Sequence, residues 1–423
     1  MHRYDTIPEL AGLATYADAA RVGWSIDDNV RRLLRLQWTE RRLMQTMIAH
    51  LAAEPVWEVK CALALHQWQC AEHVDAIRVR IAEMRNPVPR LEVAPDDCAD
   101  VEQYFNDLDV RSSRDAIEGI YGTAIPDLAN AYRAHLAGCN PLVDHPTVRI
   151  VRSALSDVDA AADWGQRALV ALADPDAQRE ATPEHRFHPR RDERFRGQYN
   201  FEFPPHVVYN MPGVGAEERN LALLCKRTLE MDVPEMMASF MTERTGQSWE
   251  FYRDYSRQLW DEARHAMMGS VALTARGVDW KHEIPLNVSF SLRLNLHADA
   301  VERQMMLLAI EQSLMPGDTG KRFEHDTAVE AGDALSAHFH DYDWADEVLH
   351  TQIGRRALKR EGISLDEATT RAATVHEKTW AALDQYRSRD EQHDWWPDFV
   401  RQTLGRESEA PANARPPLSV LGE

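Results

Sequence analysis

The chain has 423 residues, 68 of them acidic and 48 basic, which gives a formal net charge of −20. This length is enough for two or three domains, and the acidic balance disfavours nucleic acid or an anionic membrane surface as the main partner. The five cysteines include no Cys-x-x-Cys pair, as is typical of reduced cysteines in a cytoplasmic protein. We find no signal-peptide pattern and no apolar run near the ~20 residues that span a bilayer, so we expect a cytoplasmic location and no membrane partner.

Apolar residues recur with the period of an α-helix along most of the chain, and strand-like alternation is rare, which predicts an all-α fold. The N-terminal half, residues 1–173, is interpreted as a helical domain. Its predicted helices are a hairpin over 26–84 that breaks near Glu54-Pro55, followed by helices over 111–135 and 147–173.

Composition changes over residues 174–215, which are rich in proline, arginine and histidine and have little periodicity, so we predict a linker or extended arm. His185, His188 and His206 lack the spacing of metal ligands and are interpreted as part of this polar connection.

Helical periodicity returns in the second half, where residues 216–361 are predicted to form one domain. Its predicted helices cover residues 217–242, 247–276, 297–315 and 325–361. A C-terminal helix is predicted within 362–405, and the proline-rich, polar residues 406–423 are predicted to be disordered.

Two strings carry the strongest chemical signal, because residues 261–265 and 346–350 both read Asp-Glu-x-x-His. Residues three apart lie on one face of a helix, so Glu262 is paired with His265 and Glu347 with His350. Two such helices, each joined by one glutamate from a further helix, form the ligand set of a carboxylate-bridged dimetal site in a four-helix bundle.

The first partner glutamate follows from the hairpin turn at Thr245-Gly246. Residues equally distant from this turn lie level, which places Glu230 opposite Glu262, whereas Glu235 faces another direction. Pro234 predicts a kink or bulge beside the site.

The second partner is Glu302 or Glu311. A hairpin turning at Pro316-Gly317 would put neither level with Glu347, but a last helix that begins at Gly332-Asp333 brings Glu311 nearer. We therefore favour Glu311 and keep Glu302 as the alternative.

The aspartates that precede the ligand glutamates are expected to orient the histidines. We predict crossed pairs, Asp261 with His350 and Asp346 with His265, each accepting the free ring N–H. Arg264 is expected to offset the extra acidic charge. A single Glu-x-x-His is usually a solvated pair, but here the neighbours are apolar, and burying unpaired charges costs several kcal/mol each.

These strings resemble the ferritin-like superfamily of carboxylate-bridged dimetal proteins, and most of all the bacterial ferritin-like proteins of the DUF455 type. The resemblance covers about residues 217–358. It implies a metal-binding four-helix bundle with two iron ions (Mn/Fe suits the same ligands), held by Glu230, Glu262, His265, Glu311, Glu347 and His350.

The resemblance does not fix the reaction. A complete ligand set without surplus carboxylates for iron transit, in a chain longer than a storage bundle needs, favours a di-iron oxygenase or oxidase that uses O₂ to hydroxylate, desaturate or N-oxygenate a small organic substrate. An external electron donor and a homodimer are expected with it. The alternative is a non-catalytic ferritin-like protein that binds, oxidises or stores iron. A tRNA hydroxylase is disfavoured by the charge of −20.

The first half contains a similar spacing of glutamates. Glu40 and Glu72 are 32 residues apart, as are Glu230 and Glu262, and the two pairs are offset by 190. At this offset Asp75 replaces the first histidine, and no histidine matches the second. We hypothesise a duplicated bundle whose first copy has lost its metal site.

Overall fold

The computed structural model describes residues 3–4, 6–108, 112–173, 191–196, 205–285, 290–387 and 395–411. Helices and their connections make up these ranges, and no strand occurs within them, which confirms the all-α prediction. None of the helices described is long and apolar enough to cross a membrane. All five cysteines are free thiols.

The chain divides into two compact units, each built from two pieces of sequence. Unit 1 comprises Met1–His50 and Leu65–Thr182, and unit 2 comprises Leu51–Ala64 and Pro183–Glu423. The boundary near residue 182 lies close to the predicted one, but the short piece before residue 65 belongs to the second unit and not to the first.

Two sets of contacts hold this short piece in unit 2. The fully buried Lys60 forms an ion pair with Glu235. The Trp57 ring packs against Phe195 and Trp280, with ring centroids 5.8 and 5.0 Å apart. The sequence of an apolar hairpin does not indicate which domain it will pack against. The assignment of residues 51–64 to unit 2 therefore required the structure.

Unit 1 contains the predicted helices, with ends within a few residues of those expected, and two short helices that were not predicted, Tyr16–Ala19 and Ala99–Asp107. Glu118–Ala124 forms a π-helical turn between two of its helices. The helices are α1 Tyr16–Ala19, α2 Ile26–Leu51, α3 Trp57–Glu83 (shared with unit 2), α4 Ala99–Asp107, α5 Ser113–Ile117, α6 Ile125–Gly138 and α7 His145–Ala171.

One oxygen of the buried Glu40 carboxylate, Oε1, has two partners within unit 1. It accepts from the Tyr132 hydroxyl at 2.8 Å and lies 2.9 Å from His73 Nδ1, while His73 Nε2 lies 3.1 Å from Asp157. Glu72 is exposed. The first half therefore uses Glu40 in a local hydrogen-bond network.

Unit 2 contains the second set of helices. They are α8 Pro205–Val208, α9 Ala216–Thr228, α10 Asp232–Glu243, α11 Trp249–Thr274, α12 Trp280–Glu283, α13 Phe290–His297, α14 Ala300–Ser313, α15 Lys321–Glu330, α16 Ala334–Arg360, α17 Leu365–Arg387 and α18 Trp396–Leu404.

Four of these segments pack as a bundle. The α9–α10 segment contacts α11, α11 contacts α16, α16 contacts α14, and α14 contacts α10. The long connection between α11 and α14 carries α12 and α13. Each of the four segments thus contacts two of the others in a closed ring.

A 3₁₀ turn over Leu229–Met231 interrupts the predicted helix 217–242. Pro234 explains it, because proline has no N–H to donate to the carbonyl four residues earlier, and its ring crowds that carbonyl. The acceptor that loses its partner is Glu230, so the irregularity falls at a predicted ligand, as the sequence indicated.

The predicted helix 325–361 is two helices, α15 and α16, separated at Gly332-Asp333. Gly332 has a φ of 71°, and the Asp333 side chain accepts the Ser336 N–H as the N-cap of α16. The last bundle helix therefore begins where the argument for Glu311 required.

The C-terminal region differs from the prediction of one helix and a disordered tail. Helices α17 and α18 are separate elements, and residues 388–394 and 412–423 lie outside the described ranges. Residues 406–411 are ordered, because the buried Glu218 carboxylate accepts from Ser408 Oγ at 2.6 Å and from the Glu409 N–H at 2.8 Å. The tail was predicted from composition, which does not reveal a buried acceptor.

Part of the predicted arm contacts the bundle. Arg191 donates to Asp232 and Glu235 on α10, and its side chain is 7% exposed. His206 is exposed on α8, while His185 and His188 lie outside the described residues.

Two main helices of the first half have counterparts in the second half at nearly the same offset. Helices α2 and α9 begin 190 residues apart, α7 and α16 begin 189 apart, and each of the latter two has 27 residues. This agreement supports the hypothesis of duplication, which stays a prediction until residues 26–171 and 216–360 are superposed.

The His73 network predicts a pH-dependent contribution to stability. Burial alone would lower the pKa of His73, but Glu40 and Asp157 raise it from 6.5 to about 9. A raised pKa stabilises the fold fully below pH 6.5, and the stabilisation is lost as the pH rises through 9. We expect the wild-type chain to lose roughly 3 kcal/mol over this range relative to His73→Gln. Urea unfolding at several pH values measures it, and parallel profiles for the two proteins would contradict it.

Candidate metal centre

The six predicted ligands meet in the interior of the unit 2 bundle, in two adjoining groups. Cluster A is Glu262, Glu311, Glu347 and His350, and its ligand atoms all lie within 4.8 Å of one another. Cluster B is Glu230, His265 and Asp343, which meet the same criterion. All members are buried except Glu230, which is partly exposed.

Each bundle segment contributes to the centre. Helix α11 presents Glu262 and His265 on one face, and α16 presents Glu347 and His350 in the same way. Helix α14 supplies Glu311, and Glu230 comes from the 3₁₀ turn. Because the members of each pair are three residues apart, they lie on the same face of their helix.

In cluster A, His350 lies between carboxylates. Its Nδ1 is 3.1 Å from Glu262 Oε1 and from Glu347 Oε2, and 4.0 Å from Glu311 Oε1. Gln258 Nε2 donates to Glu311 at 2.9 Å. One imidazole nitrogen and three carboxylates therefore face a common point.

The protonation of cluster A shows how strongly it attracts positive charge. Burial, together with the neighbouring charge of Glu347, raises the pKa of Glu311 well above its usual range. Burial would lower the pKa of His350, but Asp261, Glu262 and Glu347 raise it well above the ordinary value. The group thus binds protons that a divalent cation would replace.

Two ligand atoms make no hydrogen bond of good geometry. They are Glu262 Oε1 and His265 Nδ1, both buried, although an oppositely charged partner lies 3.1 Å from each. Buried polar atoms are normally paired. Carboxylate oxygen and imidazole nitrogen are also the donors that iron and manganese accept, so the residues present fit such an ion.

Both crossed aspartate–histidine contacts are present. His350 Nε2 lies 3.3 Å from Asp261 Oδ2, and His265 Nε2 lies 3.1 Å from Asp346 Oδ2. Arg264 Nη2 donates to both aspartates, at 2.6 and 2.7 Å. With Nε2 engaged, each imidazole turns Nδ1 toward the clusters, which fixes the nitrogen available to a metal.

The structure separates the competing glutamates. Glu302 lies in the first turn of α14, where its carboxylate accepts the Asp299 N–H in a capping box. Glu311 is about two and a half turns further along α14, in cluster A. Glu235 pairs with Lys60 and Arg191, away from both clusters.

Cluster B contains a cation that sequence reasoning missed. Lys321 Nζ lies 3.5 Å from Glu230, 2.9 Å from Asp343 and 3.0 Å from Glu347. Asp343 was also missed, although it precedes Glu347 by four residues on the same helical face and was readable from spacing. No spacing in the sequence indicated Lys321, because this lysine reaches the site only through a turn of the folded chain.

Arg227 is the second cation missed by the sequence. It is fully buried and contacts Glu230 at 3.2 Å, Asp343 at 2.9 Å and Glu324 at 3.3 Å. Burial opposes ionisation of Asp343, but Arg227 and Lys321 hold its pKa well below the usual range. Asp343 is therefore ionised and paired with two protein cations.

Two glycines let the ligand helices approach closely. Gly269 and Gly354 each follow a cluster histidine by four residues. A Cβ at Gly269 would lie 3.1 Å from Arg227 Cβ, and one at Gly354 would lie 2.9 Å from Leu308 Cδ1. The helix separation beside both histidines thus depends on the absence of a side chain.

Comparison of the chain with protein-family models, curated proteins and solved structures found no match. The function must therefore be argued from the geometry of the centre.

The two glutamates of α14 provide a matched test of cluster A. We expect Glu311→Gln to weaken binding of Fe(II) at least tenfold, because a charged ligand is lost, and Glu302→Gln to leave it unchanged, because glutamine also completes a capping box. Anaerobic Fe(II) titration measures both. Equal affinities would remove Glu311 from the ligand set.

The crossed contact on α11 can be tested separately. Asp261→Asn removes the charge that orients His350, so we expect Fe(II) affinity to fall about 10–100-fold. Asp254→Asn serves as the control, because Asp254 lies on the same helix and pairs with arginines outside the clusters. A similar loss in both variants would point to general destabilisation of α11.

Proposed function

We propose that this protein is a ferritin-like non-haem iron oxidoreductase, an oxygenase or oxidase that activates O₂ and acts on a small organic substrate. The observation that carries the proposal is cluster A. Three buried carboxylates and an imidazole share one point there, and within the described part of the chain the only lysine or arginine that contacts the four is Lys321, at Glu347. Several buried carboxylates without matching cations are costly unless a metal ion neutralises them.

The arrangement of the bundle supports the ferritin-like part of the proposal. Its segments form two consecutive pairs, α9–α10 with α11 and α14 with α16, joined by a long connection over residues 275–299. Ferritin-like bundles have one such long crossover, and their centres take a single glutamate from each of two helices and a Glu-x-x-His pair from each of the others.

The donor set supports iron or manganese. Carboxylate oxygens favour hard cations and imidazole favours first-row transition metals, so Fe/Fe and Mn/Fe both remain consistent with the predicted two-ion centre. When bound, iron supplies the electrons that reduce O₂.

The chain contributes binding, orientation and exclusion of water. The carboxylates and His350 hold the ion, and Asp261 and Asp346 fix the histidine tautomers. Glu262, Glu311 and Glu347 are each 2–3% exposed and His350 is fully buried, so bulk water has little access. Hydroxylation, desaturation and N-oxygenation of a small substrate suit such a dry site, with further electrons from an external donor.

The alternative is a non-catalytic protein that oxidises or stores iron. Transit of many ions calls for acidic groups that extend from the centre outward. Among the residues that the structure describes, every group with metal-binding potential adjoins the buried centre, and the third, formed by Glu324, His340 and Asp343, is buried throughout. This compact distribution favours the oxidoreductase. A homodimer and a cytoplasmic location stay predictions from the sequence.

Loading with excess Fe(II) followed by O₂ separates the two functions. We expect iron uptake to stop at about one or two ions per chain, with ligand-to-iron charge-transfer absorption, and O₂ uptake to continue only when an electron donor is added. Metal analysis, optical spectra and an oxygen electrode measure these, with His350→Ala as the variant that loses iron. A growing iron mineral would favour storage, and a chain that takes zinc or no metal would exclude an iron enzyme.

A further inference from the structure

We propose that the Lys321 ammonium group takes the place of the second metal ion, so that the centre binds a single metal, in cluster A. The inference rests on the proposed function to the extent that cluster A must bind a metal. It departs from the two-ion centre that the spacing of the ligands predicts.

The contacts of Lys321 are those of a second cation. Its Nζ lies within 3.5 Å of two cluster B carboxylates, Glu230 and Asp343, and within 3.0 Å of Glu347, the carboxylate that adjoins both clusters. An ammonium group has three N–H donors and no acceptor. All three donors therefore have a carboxylate within reach, and those same carboxylate groups would be the ligands of a second metal.

The backbone holds Lys321 in this position. The Lys321 N–H donates to the Leu314 carbonyl at 2.9 Å, and the Gly320 N–H donates to the Pro316 carbonyl at 2.9 Å. A Cβ at Gly320 would clash with Leu314, so this turn requires glycine. Lys321 is also the first residue of α15 and is 1% exposed. Its side chain is thus part of the built interior.

Clusters A and B differ in how many protein cations contact their carboxylates. The three carboxylates Glu230, Asp343 and Glu324 contact three cations, Lys226, Arg227 and Lys321. The cluster B carboxylates and their neighbour Glu324 therefore each contact a protein cation without a metal, and Lys321 is shared with Glu347.

Cluster A has fewer such contacts. Its three carboxylates share one contact with a lysine, that of Glu347 with Lys321, and otherwise face His350. A divalent ion in cluster A neutralises buried negative charge, whereas one in cluster B would lie beside Lys321 and Arg227 and be repelled by both. With one ferrous ion, the further electrons for reduction of O₂ must come from a donor or from the substrate.

Metal stoichiometry tests the inference without reference to activity. The full-length chain is loaded anaerobically with excess Fe(II), and separately with Mn(II), then desalted and analysed for metal per chain. We expect about one ion for the wild type and about two for Lys321→Met, a twofold increase, because the variant removes the competing charge while keeping an apolar side chain of similar length. Electron paramagnetic resonance of the manganese form is expected to show an isolated ion in the wild type and a spin-coupled pair in the variant.

Lys60→Met is the matched control, because Lys60 is also a fully buried lysine in an ion pair, with Glu235, outside the clusters. It is expected to bind about one ion, like the wild type. Two ions in the wild type, or one ion in a folded Lys321→Met, would overturn the inference. If Lys321→Met fails to fold, Lys321→Gln replaces it, with about two ions per chain expected and one ion contradicting the inference. The wild-type value of about one ion is required in either case. No metal in any of the proteins would refute the proposed function itself, which is a distinguishable result.

Discussion

Neutralisation of buried acidic charge is the constraint on which the second unit depends. The bundle brings five carboxylates, two histidines and the crossed aspartates into a space from which water is largely excluded. Charges in such a place must be paired, protonated or bound to metal, since an unpaired one costs several kcal/mol. Protein cations neutralise the carboxylates of cluster B, whereas protons or a metal ion must neutralise those of cluster A. The helices can approach closely at Gly269 and Gly354 only because the negative charge buried between them is neutralised.

Much of the site could be predicted from sequence because its geometry is local. Glu262 with His265 and Glu347 with His350 need only helical spacing, and the crossed aspartates need only that the two helices face each other. Glu230 could be located because the turn between α10 and α11 is short. The choice between Glu302 and Glu311 stayed open because the connection that follows contains α15, whose position periodicity does not specify.

The features that sequence missed depend on tertiary structure. Lys321 reaches the centre through the turn at Gly320, and Arg227 reaches it from the helix before the 3₁₀ turn. The assignment of residues 51–64 to the second unit depends on Lys60 and Trp57 meeting partners far away in sequence. The predicted disorder of residues 406–411 was wrong because Glu218 offers them a buried acceptor.

Because protein cations pair with the carboxylates of cluster B, the fold does not need a metal ion there in order to form. Small metal-dependent domains are unfolded until their ion arrives, because the ion provides the energy of folding. Here Lys321 and Arg227 already neutralise the half of the centre that lies nearest the irregular turn at Glu230, and the remaining acidic groups can hold protons. For the iron protein that we propose, the chain could therefore fold when iron is scarce. In that proposal, metallation is a late and reversible step of maturation, and a protein that loses its ion stays folded and can be loaded again.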